Sequence, residues 1–260
     1  MQLKSNNLNI LKAGNVTNIL RIATINIHKG TSIFNANLVL HQQRELIRKL
    51  NADIVFLQEV SGAHMRHSKR KLGAQHEYLA YEIWPNFAYG QNAVTLSGHH
   101  GNAILSKFPI LSWQNEDISA NISEQRGLLH CEIVIPGWSE PLHCICVHLG
   151  LFASWRRMQL KALNNRINLL VPKNVPLIIA GDFNDWGQKV GSILAEQQLT
   201  EVFESSRGKH ARSYPSFLPI LKLDRIYSRG FSVLHSKVHD GLSAANISDH
   251  AALSASLLKL

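Results

Sequence analysis

Short groups of polar residues directly follow apolar runs at several places in this 260-residue chain. Four of these groups contain a carboxylate next to a strand-like run. Such a carboxylate costs several kcal/mol of desolvation unless it is paired or bound to a cation. One carboxylate alone fits a turn cap or an arginine partner, but several together predict a common site. The residues concerned are Asn26, Glu59, His148, Asp182, Asn184, Asp224, Asp249 and His250.

The chemistry of this residue set is that of phosphate-ester hydrolysis. A cluster of oxygen ligands without cysteine suits a hard cation such as Mg²⁺ or Mn²⁺ better than zinc. The cation would neutralise phosphate oxygens and the charge that develops on a leaving oxygen. Histidine and aspartate would orient or deprotonate water and stabilise the transition state. We therefore expect a metal-dependent hydrolase of phosphate esters.

Two segments of similar pattern must position these groups. Each is predicted to form a strand, an amphipathic helix and a second strand. The predicted ranges are 21–27, 37–50 and 54–57 in the first segment, and 142–147, 153–171 and 177–180 in the second. Asn26 and Glu59 are 33 positions apart, and His148 and Asp182 are 34 apart. Because ligands of α/β proteins bind at the carboxyl ends of strands, this matching predicts pseudo-symmetric halves around one site.

The rest of the chain adds strands and two irregular stretches. Further strands are predicted at 101–105, 128–135, 223–227 and 251–257. The stretches 61–100 and 205–220 have no regular pattern, and loops of such length are often functional. The first contains a basic run formed by Arg66, Lys69, Arg70 and Lys71. Since no linker divides the chain, we expect a single domain over 1–260, with 1–20 as a leading segment.

Composition limits the partners and the compartment. Lys and Arg number 27 against 18 Asp and Glu, a net charge of +9. A basic surface attracts nucleic acid, anionic lipid head groups or phosphorylated small molecules. No apolar run approaches the ~20 residues of a membrane span, and no signal-peptide pattern is present. With only three cysteines, the chain is predicted to be cytoplasmic.

In its motifs the chain resembles the endonuclease/exonuclease/phosphatase superfamily. That superfamily includes deoxyribonuclease I, apurinic endonucleases, sphingomyelinases, inositol-phosphate 5-phosphatases and deadenylases. The motifs, in the family's order, are Thr24-Ile25-Asn26, Leu57-Gln58-Glu59, Gly101-Asn102-Ala103-Ile104-Leu105-Ser106, Val147-His148-Leu149, Gly181-Asp182-Phe183-Asn184, Leu223-Asp224-Arg225-Ile226-Tyr227 and Ser248-Asp249-His250. The resemblance implies an α/β fold, a four-layer α/β sandwich in which two mixed β-sheets pack face to face with helices outside.

The resemblance also implies roles for the carboxylates and amides. Glu59 resembles the main metal ligand, with Asn26 and Asp249 close to the metal. Asp182 would orient or deprotonate the attacking water. Asn184 beside it would hold a phosphate oxygen.

The histidines and two basic residues complete the predicted site. The resemblance implies that His250 stabilises the transition state or protonates the leaving oxygen, with Asp224 holding its tautomer. His148 would contact the scissile phosphate. Two further substrate-binding candidates come from position alone: Lys29 follows the Asn26 strand end, and Arg126 opens a strand. A solvated loop position is the alternative for Lys29, and a surface pair for Arg126.

Substrate and partner remain open at this point. In the apurinic endonuclease branch a lysine usually stands where this chain has Ser61. The stretches 26–30 and 223–227 resemble a bacterial branch that implies no particular substrate. Nucleic acid, a phospholipid head group and a phosphorylated metabolite all remain candidates, and the oligomeric state is open. A non-catalytic binding module with this fold is the alternative outside enzymes, but it would be expected to have lost part of the catalytic set.

Overall fold

The computed structural model of the chain describes residues 18–31, 39–64, 74–81, 83–95, 98–187, 190–241, 244 and 246–260. Within them the strands are β1 (Ile19–Asn26), β2 (Ile54–His64), β3 (Asn86–Thr95), β4 (Gly98–Ser106), β5 (Ile110–Asp117), β6 (Gly127–Ile133), β7 (Leu142–His148), β8 (Leu177–Asp182), β9 (Thr200–Glu201), β10 (Asp224–Arg229), β11 (Phe231–His239) and β12 (Ala252–Lys259). The helices are α1 (Leu40–Lys49), α2 (Gln75–Ala80), α3 (Ala153–Leu170), α4 (Val190–Leu194) and α5 (Val202–Arg207). None of these helices is long and apolar enough to cross a membrane.

The strands form two six-stranded mixed sheets with matching topology. Sheet I has the order β11-β12-β1-β2-β4-β3, and sheet II has the order β5-β6-β7-β8-β10-β9. The neighbours β1 and β2 are parallel and connected through α1, as β7 and β8 are through α3. The two orders coincide when β1 is matched to β7, which gives the predicted pseudo-symmetric halves. The chain changes sheets twice. β5 and β6 follow the four strands β1–β4 of sheet I but lie in sheet II, and β11 and β12 follow β10 of sheet II but lie in sheet I.

Apolar side chains on both faces of the central strands create the layers. Ile22 of β1 and Cys144 of β7 belong to the core between the two sheets. Ile47 of α1 packs on the outer face of sheet I, and Leu163 of α3 packs on the outer face of sheet II. Strands covered on both faces appear in sequence as continuous apolar runs. The resulting order of helix, sheet, sheet and helix is the predicted four-layer sandwich.

The interpretation of 61–100 as an irregular stretch is wrong. Within it the structure describes the end of β2, the short helix α2, all of β3 and the start of β4. Six residues of α2 are too few to show helical periodicity. The basic run Arg66, Lys69, Arg70 and Lys71 lies outside the described residues, as do 1–17 and the predicted helix start at Asn37. The edge strand β5 was not predicted, and its mainly exposed side chains explain the missing apolar signal.

Candidate active site

The carboxyl ends of the two parallel strand pairs open into one polar cleft between the sheets. Asn26 is in register with Gln58 across β1 and β2, and His148 is in register with Asp182 across β7 and β8. By strand alternation these side chains point the same way as the core residues between the sheets. The Asn26 amide donates a hydrogen bond from Nδ2 to Asp182 Oδ2 at 3.3 Å. The two sheets therefore meet at the predicted site.

A β-bulge brings Glu59 into the same cleft. The pairing of β2 with β4 shifts in register between Leu57 and Val60, and Glu59 has a φ of 56°. Regular alternation would point Glu59 away from the cleft, toward the face that Leu57 shares with α1. Bulges commonly re-aim a side chain next to a functional site. Here the bulge lets Glu59 Oε1 accept a hydrogen bond from Asn26 Nδ2 at 3.3 Å.

Both carboxylate oxygens of Asp182 are engaged. Its Oδ1 accepts a hydrogen bond from the backbone N–H of Asn184 at 3.0 Å. Its Oδ2 faces Asn26 and also lies 3.4 Å from His148 Nε2 and 3.8 Å from His250 Nε2. Burial raises the pKa of Asp182 to about 6, against the opposing effect of the His250 charge. Asp182 is thus poised to exchange a proton near neutral pH.

His250 and Asp224 form a buried pair at the start of β10. His250 Nδ1 and Asp224 Oδ2 are 2.8 Å apart. Burial opposes protonation, but the Asp224 and Asp182 carboxylates outweigh it and raise the pKa of His250 to about 10. The ring is therefore charged at neutral pH. Ligand atoms of Asp182, Asp224 and His250 lie within 4.8 Å of one another and could also hold a cation, which would have to displace the proton shared in the pair.

His148 is an uncharged histidine in the same cleft. Burial is the main cause, and the positive charge of Arg126 adds to it, so the pKa of His148 lies well below its usual value. Its 3.4 Å approach to Asp182 is consequently a contact of a neutral ring and not an ion pair. The cleft therefore holds one charged histidine, which can donate a proton, and one neutral histidine, which can donate one hydrogen bond.

Two of the three predicted metal ligands are partly exposed, and the third, Asn26, is buried beside them. The side chains of Glu59 and Asp249 retain 20% and 23% of their exposure. The backbone N–H of His28 donates to Asn26 Oδ1 at 3.0 Å, and His28 Nδ1 lies 3.8 Å from Asp249 Oδ1. His28 therefore links Asn26 to Asp249. The side-chain donors are two partly exposed carboxylates and one buried amide oxygen, a set of oxygen ligands that fits Mg²⁺ or Mn²⁺.

Electrostatics keep Glu59 in the form that a cation binds. Burial opposes its ionisation, but the charge of Lys29 and the hydrogen bond from Asn26 outweigh it, so the pKa of Glu59 lies below its usual value. The Lys29 ammonium is 3.9 Å from Glu59 Oε2, and about half of its side chain is exposed. The structure thus brings Lys29 to the mouth of the cleft.

Arg126 lies beside the cleft but already has a partner. Its guanidinium donates a hydrogen bond to Glu124 Oε1 at 2.9 Å. Its charge nevertheless contributes to the lowered pKa of His148, so it acts on the cleft through space. Arg126 is the predicted site residue that the structure connects least directly to the others.

Hydrogen bonds tie the loops of the cleft together. Ser248 Oγ donates to the backbone oxygen of Asn26 at 2.6 Å, which fixes the Ser248-Asp249-His250 motif to β1. Asn184 Nδ2 donates to the backbone oxygen of Leu149 at 2.9 Å, which joins the loops after β7 and β8. The side chain of Asn184 is therefore engaged in positioning these loops next to Asp182.

Sequence reasoning missed three residues that the structure places at the site. His28 follows Asn26 by two residues, but β1 ends at Asn26 and His28 has a φ of 47°, so strand alternation does not predict its direction. Ser248 opens a motif whose other two members were assigned. Tyr214 packs its ring 5.1 Å from that of His250, and its irregular surroundings give no signal.

The comparisons with known proteins identify the family. A family model described as the Endonuclease/Exonuclease/phosphatase family matches residues 23–250. The chain therefore belongs to this family. It is 43% identical over 242 residues to the protein named "Uncharacterized protein YbhP" of Escherichia coli (strain K12), covering 91% of this chain and 95% of that protein.

Solved structures show the same fold at lower identity. One is the Bacteroides thetaiotaomicron VPI-5482 mannosyl-6-phosphatase Bt3783, with a TM-score of 0.68, 17% identity, and coverage of 92% of this chain and 99% of that chain. Another is D. rerio TDP2 complexed with single strand DNA product, with a TM-score of 0.65, 19% identity, and coverage of 92% and 98%. At this identity the likeness concerns the fold.

Proposed function

We propose that the chain is a divalent-metal-dependent hydrolase of phosphate esters that acts as a phosphodiesterase. Membership in the family supports phosphoester hydrolysis as the class of reaction. The observation that carries the proposal is the buried His250–Asp224 pair facing Asp182, with Nε2 of the charged ring 3.8 Å from Asp182 Oδ2. A charged acid and a base with separated pKa values in one cleft are the mark of an acid–base site.

The oxygens of Glu59, Asn26 and Asp249 would hold Mg²⁺ or Mn²⁺ in this proposal. When bound, the cation neutralises charge on the phosphate oxygens. Asp182 accepts the proton of the attacking water, since its pKa of about 6 leaves it ionised at neutral pH. The hydrogen bonds from Asn26 and from the backbone of Asn184 hold the Asp182 carboxylate in place.

The histidines would bind the phosphate and assist the leaving oxygen. His250 donates from Nε2 to the leaving oxygen or to a phosphate oxygen, while Asp224 holds Nδ1 and keeps the ring charged. His148 donates a hydrogen bond from its neutral ring to a phosphate oxygen. Lys29 at the mouth, and Arg126 more remotely, attract the phosphate by charge.

A monoester phosphatase is the second candidate function. The Bacteroides structure of similar fold is described as a mannosyl-6-phosphatase, and the other is described with a single-strand DNA product. Phospholipid, phosphorylated metabolite and nucleic acid therefore remain the candidate substrate classes. A binding module that lost catalysis is disfavoured because the hydrogen-bonded cluster around Asp182 is intact. Three free, buried cysteines support a reducing compartment such as the cytoplasm.

Hydrolysis of bis-p-nitrophenyl phosphate and of p-nitrophenyl phosphate, each with Mg²⁺, with Mn²⁺ and with excess EDTA, tests the proposal. We expect cleavage of the diester with either metal and its loss in EDTA. The His250→Ala variant, the control for contaminating activity, should cleave ~10³-fold more slowly. Undiminished cleavage in EDTA would overturn the metal requirement. Cleavage of the monoester alone would overturn the phosphodiesterase in favour of the phosphatase.

A further inference from the structure

Large apolar side chains are exposed on the loops that surround the cleft. The loops after β7 and β8 and the stretch before β10 meet at one edge, because these strands are neighbours in sheet II. Six side chains on these loops are between 47% and 62% exposed. We call them the apolar rim: Leu151, Phe152, Trp186, Phe217, Leu218 and Ile220.

The loop that carries half of this rim is firmly attached to the site. The Ser216 backbone N–H donates to the backbone oxygen of Asp249 at 2.8 Å, and Tyr214 packs against the His250 ring. The loop is therefore held in place while it directs its apolar side chains outward. Exposed apolar side chains gathered on neighbouring loops mark an interaction surface, and preorganisation lowers the entropy cost of binding.

A basic pocket opens beside the same loop. Its volume is about 770 Å³, and Pro219, the neighbour of rim residue Leu218, lines it. Asp240 is the acidic residue that lines it. Six basic side chains line it as well: Arg207, Lys209, His210, Arg212, His235 and Lys237. All of these except His210 are exposed, so the pocket is a cationic surface next to an apolar one.

We propose that the apolar rim and the basic pocket dock the chain on an anionic phospholipid surface, which makes a lipid head group the substrate class of the cleft. The substrate assignment rests on the proposed phosphodiesterase function. Apolar and aromatic side chains enter the interfacial region of a bilayer, while adjacent cations bind the lipid phosphates. The net charge of +9 favours an anionic partner.

The composition of the rim favours lipid over single-stranded nucleic acid. Strand-binding surfaces stack bases on aromatic rings. Leu151, Leu218 and Ile220 have no ring, and a base gains little from them. In a lipid interface both aliphatic and aromatic side chains lose water contact, so all six rim residues contribute.

Co-flotation of the full chain with vesicles, in excess EDTA so that no turnover occurs, tests the docking. The vesicles contain phosphatidylcholine alone or phosphatidylcholine with phosphatidylglycerol. We expect binding to the anionic vesicles that weakens by ~10-fold or more in the Trp186→Ser, Phe217→Ser, Leu218→Ser triple variant. The matched control replaces three other exposed apolar residues at the far ends of β5 and α3, Leu111→Ser, Leu169→Ser and Leu170→Ser, and keeps binding within about twofold.

A second variant changes the basic pocket and leaves the apolar rim unchanged. Lys209→Gln, Arg212→Gln and Lys237→Gln together should remove the preference for anionic vesicles and flatten its salt dependence. Absence of vesicle binding by the wild type, or equal binding by the rim variant with native-like thermal unfolding, would overturn the proposal. Rim-dependent binding of a single-stranded oligonucleotide without vesicle binding would overturn it as well. Hydrolysis of the soluble diester by the wild type decides the proposed function separately.

Discussion

The two parallel strand pairs share a topology but deliver different chemistry to the cleft. In sheet II, His148 and Asp182 end their strands in register, and both side chains are buried. In sheet I, Asn26 is in register with the amide Gln58, and the carboxylate of Glu59 arrives one residue later through a bulge. The bulged position leaves Glu59 partly exposed. Equivalent strand ends therefore give a buried histidine–aspartate contact on one side and a partly exposed carboxylate on the other.

Burial and neighbouring charge explain the contrast between the two carboxylates. Asn26 donates to both Glu59 and Asp182, yet their pKa values move in opposite directions. For Asp182 burial prevails and raises the pKa to about 6. For Glu59 the Lys29 charge and the Asn26 hydrogen bond prevail and lower the pKa. The two halves therefore place a carboxylate at similar positions in the fold. The pKa of each carboxylate depends on the burial and the charges that surround it.

The largest expected effect comes from the sheet II side. His250→Ala should lower kcat by ~10³-fold, because general acid catalysis typically contributes between 10² and 10⁴. Asp224→Asn should lower kcat by a similar order. The double variant should be little worse than His250→Ala, because Asp224 acts through the ring. Steady-state kinetics of the three variants measures this, and additive losses would show that Asp224 has a separate role.

The next largest effect is expected for Glu59→Gln, on the sheet I side of the cleft. The substitution keeps the shape and removes the charge, so we expect Mn²⁺ affinity to fall and kcat to drop by ~10²-fold. Titration calorimetry with Mn²⁺ and turnover at saturating metal measure the two effects. Asp182→Asn is the matched control on sheet II: it should abolish turnover while leaving Mn²⁺ affinity nearly unchanged. Equal loss of affinity in both variants would mean that the division between the two sides is wrong.

The pH dependence of kcat/KM should sharpen the comparison. Asp182 must be ionised, so activity should rise as pH increases through about 6. His250 must be protonated, so activity should fall as pH increases toward about 10. Asp224→Asn removes the first cause of the raised pKa and should shift the alkaline limb to lower pH. An alkaline limb that does not move in this variant would argue against His250 as its origin.

The smallest effects are expected at the mouth of the cleft. Lys29→Gln should raise KM about fivefold with little change in kcat, since exposed charge pairs contribute weakly. Arg126→Gln should change KM less, because its guanidinium is held by Glu124. Kinetics at two salt concentrations measures both, and the Lys29 effect should shrink at high salt. A Lys29 effect on kcat alone would place this residue in the chemistry.

The sequence was sufficient for the central strands and for the polar residues at their ends. Continuous apolar runs predict β2, β7 and β8, and the polar residues at their ends converge as expected. The direction of the Glu59 side chain was not predictable. Regular alternation would point it to the face opposite that of Gln58, and only a β-bulge lets both side chains face the cleft. The contact of Tyr214 with His250 also depends on a loop whose shape is set by distant hydrogen bonds. Local sequence patterns therefore predict where the strands end. Tertiary contacts determine which way the surrounding side chains point.

The pairing of β1 with β12 has a consequence for the order of events during synthesis. Ile19 lies opposite Leu258, and the loop before β12 brings Ser248 to the backbone of Asn26. Contacts this distant in sequence form late and slow folding. A nascent chain lacks both the last strand pair of sheet I and His250 until residues 248–259 have been made. The segment 248–259 therefore does two things at once: it gives β1 its antiparallel neighbour in sheet I, and it supplies His250 to the cleft.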